Sequence, residues 1–150
     1  MRKNLNLELP IAIGSDHAGV EYKTAIIEWL TEQGYTLEDK GPLDNQSVDY
    51  PDYAHPVAND VEKVNVGLGI LICGSGNGVA MTANKHSGIR AALCWNEELA
   101  ELARLHNNAN IICIPARFVD LNLAKKMVKK FINTDFEGGR HENRVNKIIC

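Results

Sequence analysis

Leu68-Gly69-Ile70-Leu71-Ile72-Cys73, followed at once by Gly74-Ser75-Gly76-Asn77-Gly78, is the stretch that decides the fold class. An apolar run this short, broken only by one glycine and closed by alternating glycines, reads as a strand buried on both faces. Residues 79–85 then carry a short helical pattern, so the segment predicts strand, tight turn and helix. Three further apolar runs have the same character: Ile11-Ala12-Ile13, residues 89–95 and residues 111–114, each bounded by Gly, Asn or Pro. A weaker strand candidate, residues 35–39, follows Gly34 and ends before Gly41-Pro42.

Amphipathic segments separate these runs. Tyr22, Ile26, Ile27 and Leu30 share one face of a helix that should end near Gly34, a fitting C-cap. Residues 53–64 place Val57, Val61 and Val64 at helical spacing, and residues 97–106 do the same with Leu99, Leu102 and Ala103. Residues 120–131 carry Leu121, Ala124, Val128 and Phe131, with Asp120 placed to cap that helix. Alternation of this kind implies a three-layer α/β/α domain around a parallel sheet of about five strands. No repeat, low-complexity tract or linker interrupts it, so residues 1–150 are expected to form a single domain.

Composition narrows the partners. Apolar residues make up 45%, charged residues 23%, and the net charge is −3, which describes an ordinary globular chain. A mildly acidic balance argues against a general nucleic-acid binder but leaves room for a small anion held by a few arginines. Residues 1–10 start basic but lack the apolar core of a secretory signal, and no apolar run is long enough to span a bilayer. The cysteines at 73, 94, 113 and 150 form no close pair of the kind that clamps a metal or makes a redox motif. A reducing, cytoplasmic setting is therefore expected, with no membrane partner and no metal.

In a parallel α/β sheet, ligands bind beyond the carboxyl ends of the strands. That rule singles out Gly14-Ser15-Asp16-His17, residues 73–78, Trp95-Asn96 and Pro115-Ala116-Arg117. Gly74, Gly76 and Gly78 let backbone N–H groups converge on one point, an arrangement suited to an anion. The same glycines would also serve a merely tight connector. The loop is neither a dinucleotide fingerprint, being G-x-G-x-G, nor a P-loop, since no Gly-Lys-Ser/Thr closes it.

Cys73 at its start is a candidate base or nucleophile, the bland alternative being a buried strand thiol. Asp16-His17 offers a carboxylate and an imidazole, which could equally satisfy a local turn. His106-Asn107 ends a helix, where capping is the plain alternative. Arg140 and Arg144 lie four apart, on one face if residue 139 onward is helical; together they could grip a phosphate or simply be solvated. His55, His86 and His141 have no comparable company in the sequence and are expected to be surface or packing residues.

Taken together the motifs resemble the ribose-5-phosphate isomerase B family, whose relatives include the galactose-6-phosphate isomerase subunits. The resemblance rests on Gly14-Ser15-Asp16-His17-Ala18-Gly19, Asp49-Tyr50-Pro51, Ile72-Cys73-Gly74-Ser75-Gly76-Asn77-Gly78 and Ala83-Asn84-Lys85. It continues through Gly88-Ile89-Arg90-Ala91, His106-Asn107 and Glu137-Gly138-Gly139-Arg140-His141 with Arg144, in order over nearly the whole chain. It implies a Rossmann-like domain, a homodimer or tetramer with sites shared between subunits, a small sugar-phosphate substrate and no cofactor.

The same resemblance implies catalytic roles for Cys73, His106, Asp16 and Ser75. Cys73 would move the proton between C1 and C2, the amides of Gly74, Ser75, Gly76, Asn77 and Gly78 would hold the enediolate, and His106 with Asp16 would open the ring. His17, Arg117, Arg140 and Arg144 would bind phosphate, with Tyr50 and Asn107 lining the sugar site. Some members carry a glutamate where this chain has Val79, which cannot accept a proton. The competing readings are a hexose-6-phosphate isomerase and a non-catalytic sugar-phosphate sensor.

Overall fold

Strands β1 (Ile11–Ser15), β2 (Leu37–Asp39), β3 (Leu68–Cys73), β4 (Ala91–Leu93) and β5 (Ile111–Pro115) form one parallel sheet in the order β2-β1-β3-β5-β4. The computed structural model describes residues 4–150; the basic start Met1-Arg2-Lys3 lies outside the described residues. Six helices complete the three layers: α1 (Val20–Glu32), α2 (Pro51–Glu62), α3 (Asn77–Ala83), α4 (Glu97–Asn107), α5 (Leu121–Ile132) and α6 (Arg140–Val145).

The period of two along each central strand divides the interior into two cores. Ile11, Ile13, Ile70, Ile72, Ile112 and Ile114 pack with residues of α1, α4 and α5, such as Ile26, Ala103 and Phe131. Ala12, Leu71, Cys73, Ile111 and Cys113 pack on the opposite side with Val57, Val61 and Val79 of α2 and α3. Right-handed crossovers require this division, because the chain steps one way to β2, back past β1 to β3, out to β4 and in again to β5.

That winding places β3 between two strands whose following segments leave over the other layer. Its carboxyl end, Cys73, therefore borders a crevice on each side, one toward β1 and one toward β5.

Several element boundaries differ from expectation. The run 89–95 contributes only Ala91–Leu93, and both β2 and β4 are half-exposed edges rather than strands buried on both faces. The helix expected over 53–64 begins at Pro51, whose missing N–H suits a first helical position, and stops at Glu62. Val64 follows in the left-handed region at φ +60° and is exposed, so it is not part of the apolar face. Helix α3 starts at Asn77, two residues early, because Gly76 at φ +75° completes the turn. Gly34 and Asp120 cap as expected: Gly34 takes φ +94°, and Asp120 Oδ1 accepts the Leu123 N–H at 2.7 Å.

Candidate active site in two halves

Asp16, His17, Tyr50, Cys73, the glycine loop and Arg117 gather at the carboxyl edge of the sheet. Asp16 follows β1, and its Oδ1 accepts the N–H groups of Ala18 and Gly19 at 2.9 and 3.2 Å. The carboxylate thus caps a short 3-10 turn, His17–Gly19, that the sequence pattern did not announce. The turn is held close to β3, for a Cβ on Gly19 would come 2.8 Å from the Ile72 carbonyl oxygen. His17 Nδ1 accepts the Val48 N–H at 3.3 Å, which leaves Nε2 as the donor nitrogen of a neutral ring.

Cys73 is 4% exposed, and its Sγ lies 3.1 Å from the Gly76 N–H, which donates to it. A donor aimed at the sulfur stands ready for negative charge on that atom. The loop glycines are required for packing too. A Cβ on Gly78 would come 2.5 Å from the ring of Tyr50, and one on Gly76 would collide with Leu93. The Arg117 side chain lies along Gly74, where a Cβ would meet its guanidinium carbon at 3.2 Å, and the Arg117 N–H donates to the Gly74 carbonyl at 3.0 Å.

Ser75 is exposed, and its Oγ accepts from the backbone N–H and the side-chain amide of Asn77, each at 3.3 Å. Val79 is fully buried beneath the loop. The remaining thiols lie apart from this chemistry. Burial pushes Cys94 up to about 12 and drives Cys113 well above the ordinary thiol value, while Cys150 is exposed at the end of the chain.

His106, Arg140 and Arg144 belong to a different edge. Helix α4 runs against the strands, so its last turn returns to the edge where β5 begins, about 15 Å of strand away from Pro115 and its neighbour Cys73. Helix α4 also packs in the layer opposite to the one Cys73 faces. His106 and Arg140 line a hollow of about 470 Å³ together with Glu137 and His141, and the Glu137 N–H donates to the Leu105 carbonyl at 3.0 Å to close it. Residue 140 onward is helical, so Arg140 and Arg144, both exposed, do share a face of α6. Asn107 is exposed as well and lines another hollow, along β4 with Asn84, Arg90 and Ile148.

The histidines expected to lack company have it. His141 stacks on His106 with ring centroids 4.2 Å apart and planes 12° apart. Burial, then the neighbouring His106, Arg140 and Arg144, holds the His141 imidazole below its ordinary value, against the pull of Glu137. His55 and His86 share a hydrogen bond of 2.8 Å, and His86 lies 3.2 Å from Glu62. The Gly88 N–H, donating to Glu62 at 2.8 Å, is the largest cause that holds this carboxyl below the usual range. Glu137 and His141 are four apart, the spacing that could have flagged them, but Glu137 precedes the helix and only the fold folds it back.

The family model described as Ribose/Galactose Isomerase matches residues 11–148. A Mycoplasma pneumoniae protein described as a probable ribose-5-phosphate isomerase B is 45% identical over 147 residues, 97% of each chain. Ribose-5-phosphate isomerase B of Escherichia coli is 44% identical over 140 residues, 93% of this chain and 94% of that one. Among solved structures, the Clostridium thermocellum ribose-5-phosphate isomerase B superposes with a TM-score of 0.92 at 45% identity, covering 93% of this chain and 95% of that one. The Mycoplasma genitalium enzyme with bound ribulose-5-phosphate superposes with a TM-score of 0.91 at 45% identity, covering 96% of each chain. With the family model matching residues 11–148 and relatives about 45% identical over nearly the full length, the chain belongs to the ribose/galactose isomerase family.

Proposed function

We propose that this protein interconverts ribose 5-phosphate and ribulose 5-phosphate, at sites that each join the Cys73 half of one chain to the His106 half of a second. The observation that carries the chemistry is Cys73 at the switch strand, with the Gly76 N–H directed at its sulfur. The Cys73 thiolate takes the proton from C2 of the open aldose, and the electrons form a C1–C2 enediolate with charge on O1. The thiol returns that proton to C1 while the O2 hydroxyl proton passes to O1, giving the ketose without net gain or loss. Loop N–H groups act where the negative charge develops, which is where fixed donors lower a barrier most.

The separation of the halves supports a shared site. Within one chain the two groups lie at opposite ends of the sheet and over opposite layers, too far apart to touch one pentose. A two-fold dimer brings the carboxyl edge of one copy to the far edge of its partner, twice over. His106 with Asp16 then exchanges protons with the ring oxygen and the anomeric hydroxyl, and Tyr50, Asn107 and Ser75 line the sugar. His17, Arg117, Arg140 and Arg144 hold the phosphate, which positions carbons remote from it. No group in this scheme requires a cofactor. The four unpaired cysteines suit a cytoplasmic setting, and no helix among the described residues is long and apolar enough to cross a membrane.

A coupled assay comparing ribose 5-phosphate with allose and galactose 6-phosphates tests the substrate. The pentose phosphate is expected to turn over fastest; faster turnover of either hexose phosphate would move the protein to the hexose branch. Binding without turnover of any of the three would make it a sensor. Arg140→Ala is expected to raise KM about ten- to a hundredfold with kcat little changed, the loss of one charged hydrogen-bond partner. A fall in kcat at unchanged KM would remove Arg140 from the phosphate grip.

A further inference from the structure

We infer that His106, Glu137 and His141 form a binding site for a divalent transition-metal cation, best matched by Zn²⁺, whose occupancy inhibits the enzyme. Both imidazole Nε2 atoms approach the same Glu137 oxygen, Oε2, at 3.7 Å from His106 and 3.4 Å from His141. One ligand atom from each of the three lies within 4.8 Å of the others. The two separations from Glu137 are long for hydrogen bonds. Ligands at about 2.0–2.1 Å from Zn²⁺ stand about 3.3–3.4 Å from one another, an edge the His141 separation matches and the His106 separation exceeds by a few tenths of an ångström.

The donors are held in place by backbone. Glu137 is tied to α4 through Leu105, and the His141 N–H donates to the Gly138 carbonyl at 3.1 Å in the first turn of α6. The ring stack sets the two imidazoles side by side. Two imidazoles and one carboxylate suit Zn²⁺, whereas Mg²⁺ and Ca²⁺ prefer all-oxygen sets. The fourth position opens into the 470 Å³ hollow and would take water. Arg140 and Arg144 oppose a cation here, and Glu137 is the one carboxylate of the set that offsets them.

A bound cation would occupy the His106 lone pair and crowd Arg140. The site itself stands on the three donors; its effect on turnover rests on the role proposed for His106. Calorimetric titration of the full-length protein with ZnCl₂ is expected to give one ion per chain. Affinity should fall at least about tenfold in His141→Gln and in Glu137→Gln. His141→Gln is expected to lose inhibition by Zn²⁺, read against its own metal-free turnover, with an unchanged melting temperature as the check on folding. The Co²⁺ complex should show tetrahedral bands without thiolate charge transfer. Equal Zn²⁺ affinity in His141→Gln, or a thiolate band, would overturn the site by moving the ion to Cys73 or elsewhere. Binding at these three residues with turnover unaffected would overturn the inhibition, and the role of His106 with it.

Discussion

Cys73→Ala is expected to lower kcat by about 10²–10⁴-fold, the usual share of a positioned proton-transfer group. Ribulose 5-phosphate should still bind, because the phosphate grip and the loop N–H groups do not depend on the sulfur. The substitution should also be well tolerated by the fold. It removes one buried atom from a rim position, beside a loop whose turn is fixed by Gly76 at φ +75°. The other buried thiols provide the control: Cys94 and Cys113 sit in the two cores, held protonated by burial. Cys113→Ala should cost stability and leave kcat near the parent value. Unchanged turnover in Cys73→Ala would leave the enediolate chemistry without a base, since Val79 offers none.

His106→Asn should produce a loss of similar size, about 10²–10⁴-fold, for a different reason. Ribose 5-phosphate is predominantly a closed ring, and opening it needs a proton taken from one oxygen and given to another. With the side chain 37% exposed and only its stack on His141 and a long contact to Glu137 given up, the melting temperature should move little. Alkylation of Cys73 by iodoacetamide should proceed as in the parent protein, because the two groups are in different halves. A coincident loss of turnover and of thiol alkylation would instead signal collapse of the Cys73 half.

How far the sequence could be read follows from the kind of signal each element carries. Short continuous apolar runs at 11–13, 68–73 and 111–114, each closed by Gly, Asn or Pro, became the three central strands. The edge strands were less legible, because half-exposed Ala91–Leu93 carries a weaker pattern than a buried strand. At the site, the groups that follow strands directly were legible from position alone: Asp16, Cys73 and Arg117. The separation of His106 from Cys73 was not, because it depends on helix direction and layer, which periodicity does not encode. Glu137 and His141 stood in a family motif, but their meeting with His106 was not legible for a related reason, as it depends on the turn at Gly138-Gly139, both at positive φ.

The shared site is tested most directly by a heterodimer of two inactive chains. Cys73→Ala and His106→Asn chains, carrying different tags and co-expressed, can be purified through both tags in turn. In a two-fold dimer one of its two sites then has both substitutions and the other has neither, so turnover should return to about half the parent value per dimer. A doubly tagged heterodimer as inactive as either homodimer would contradict the account, by showing that Cys73 and His106 must act within the same chain.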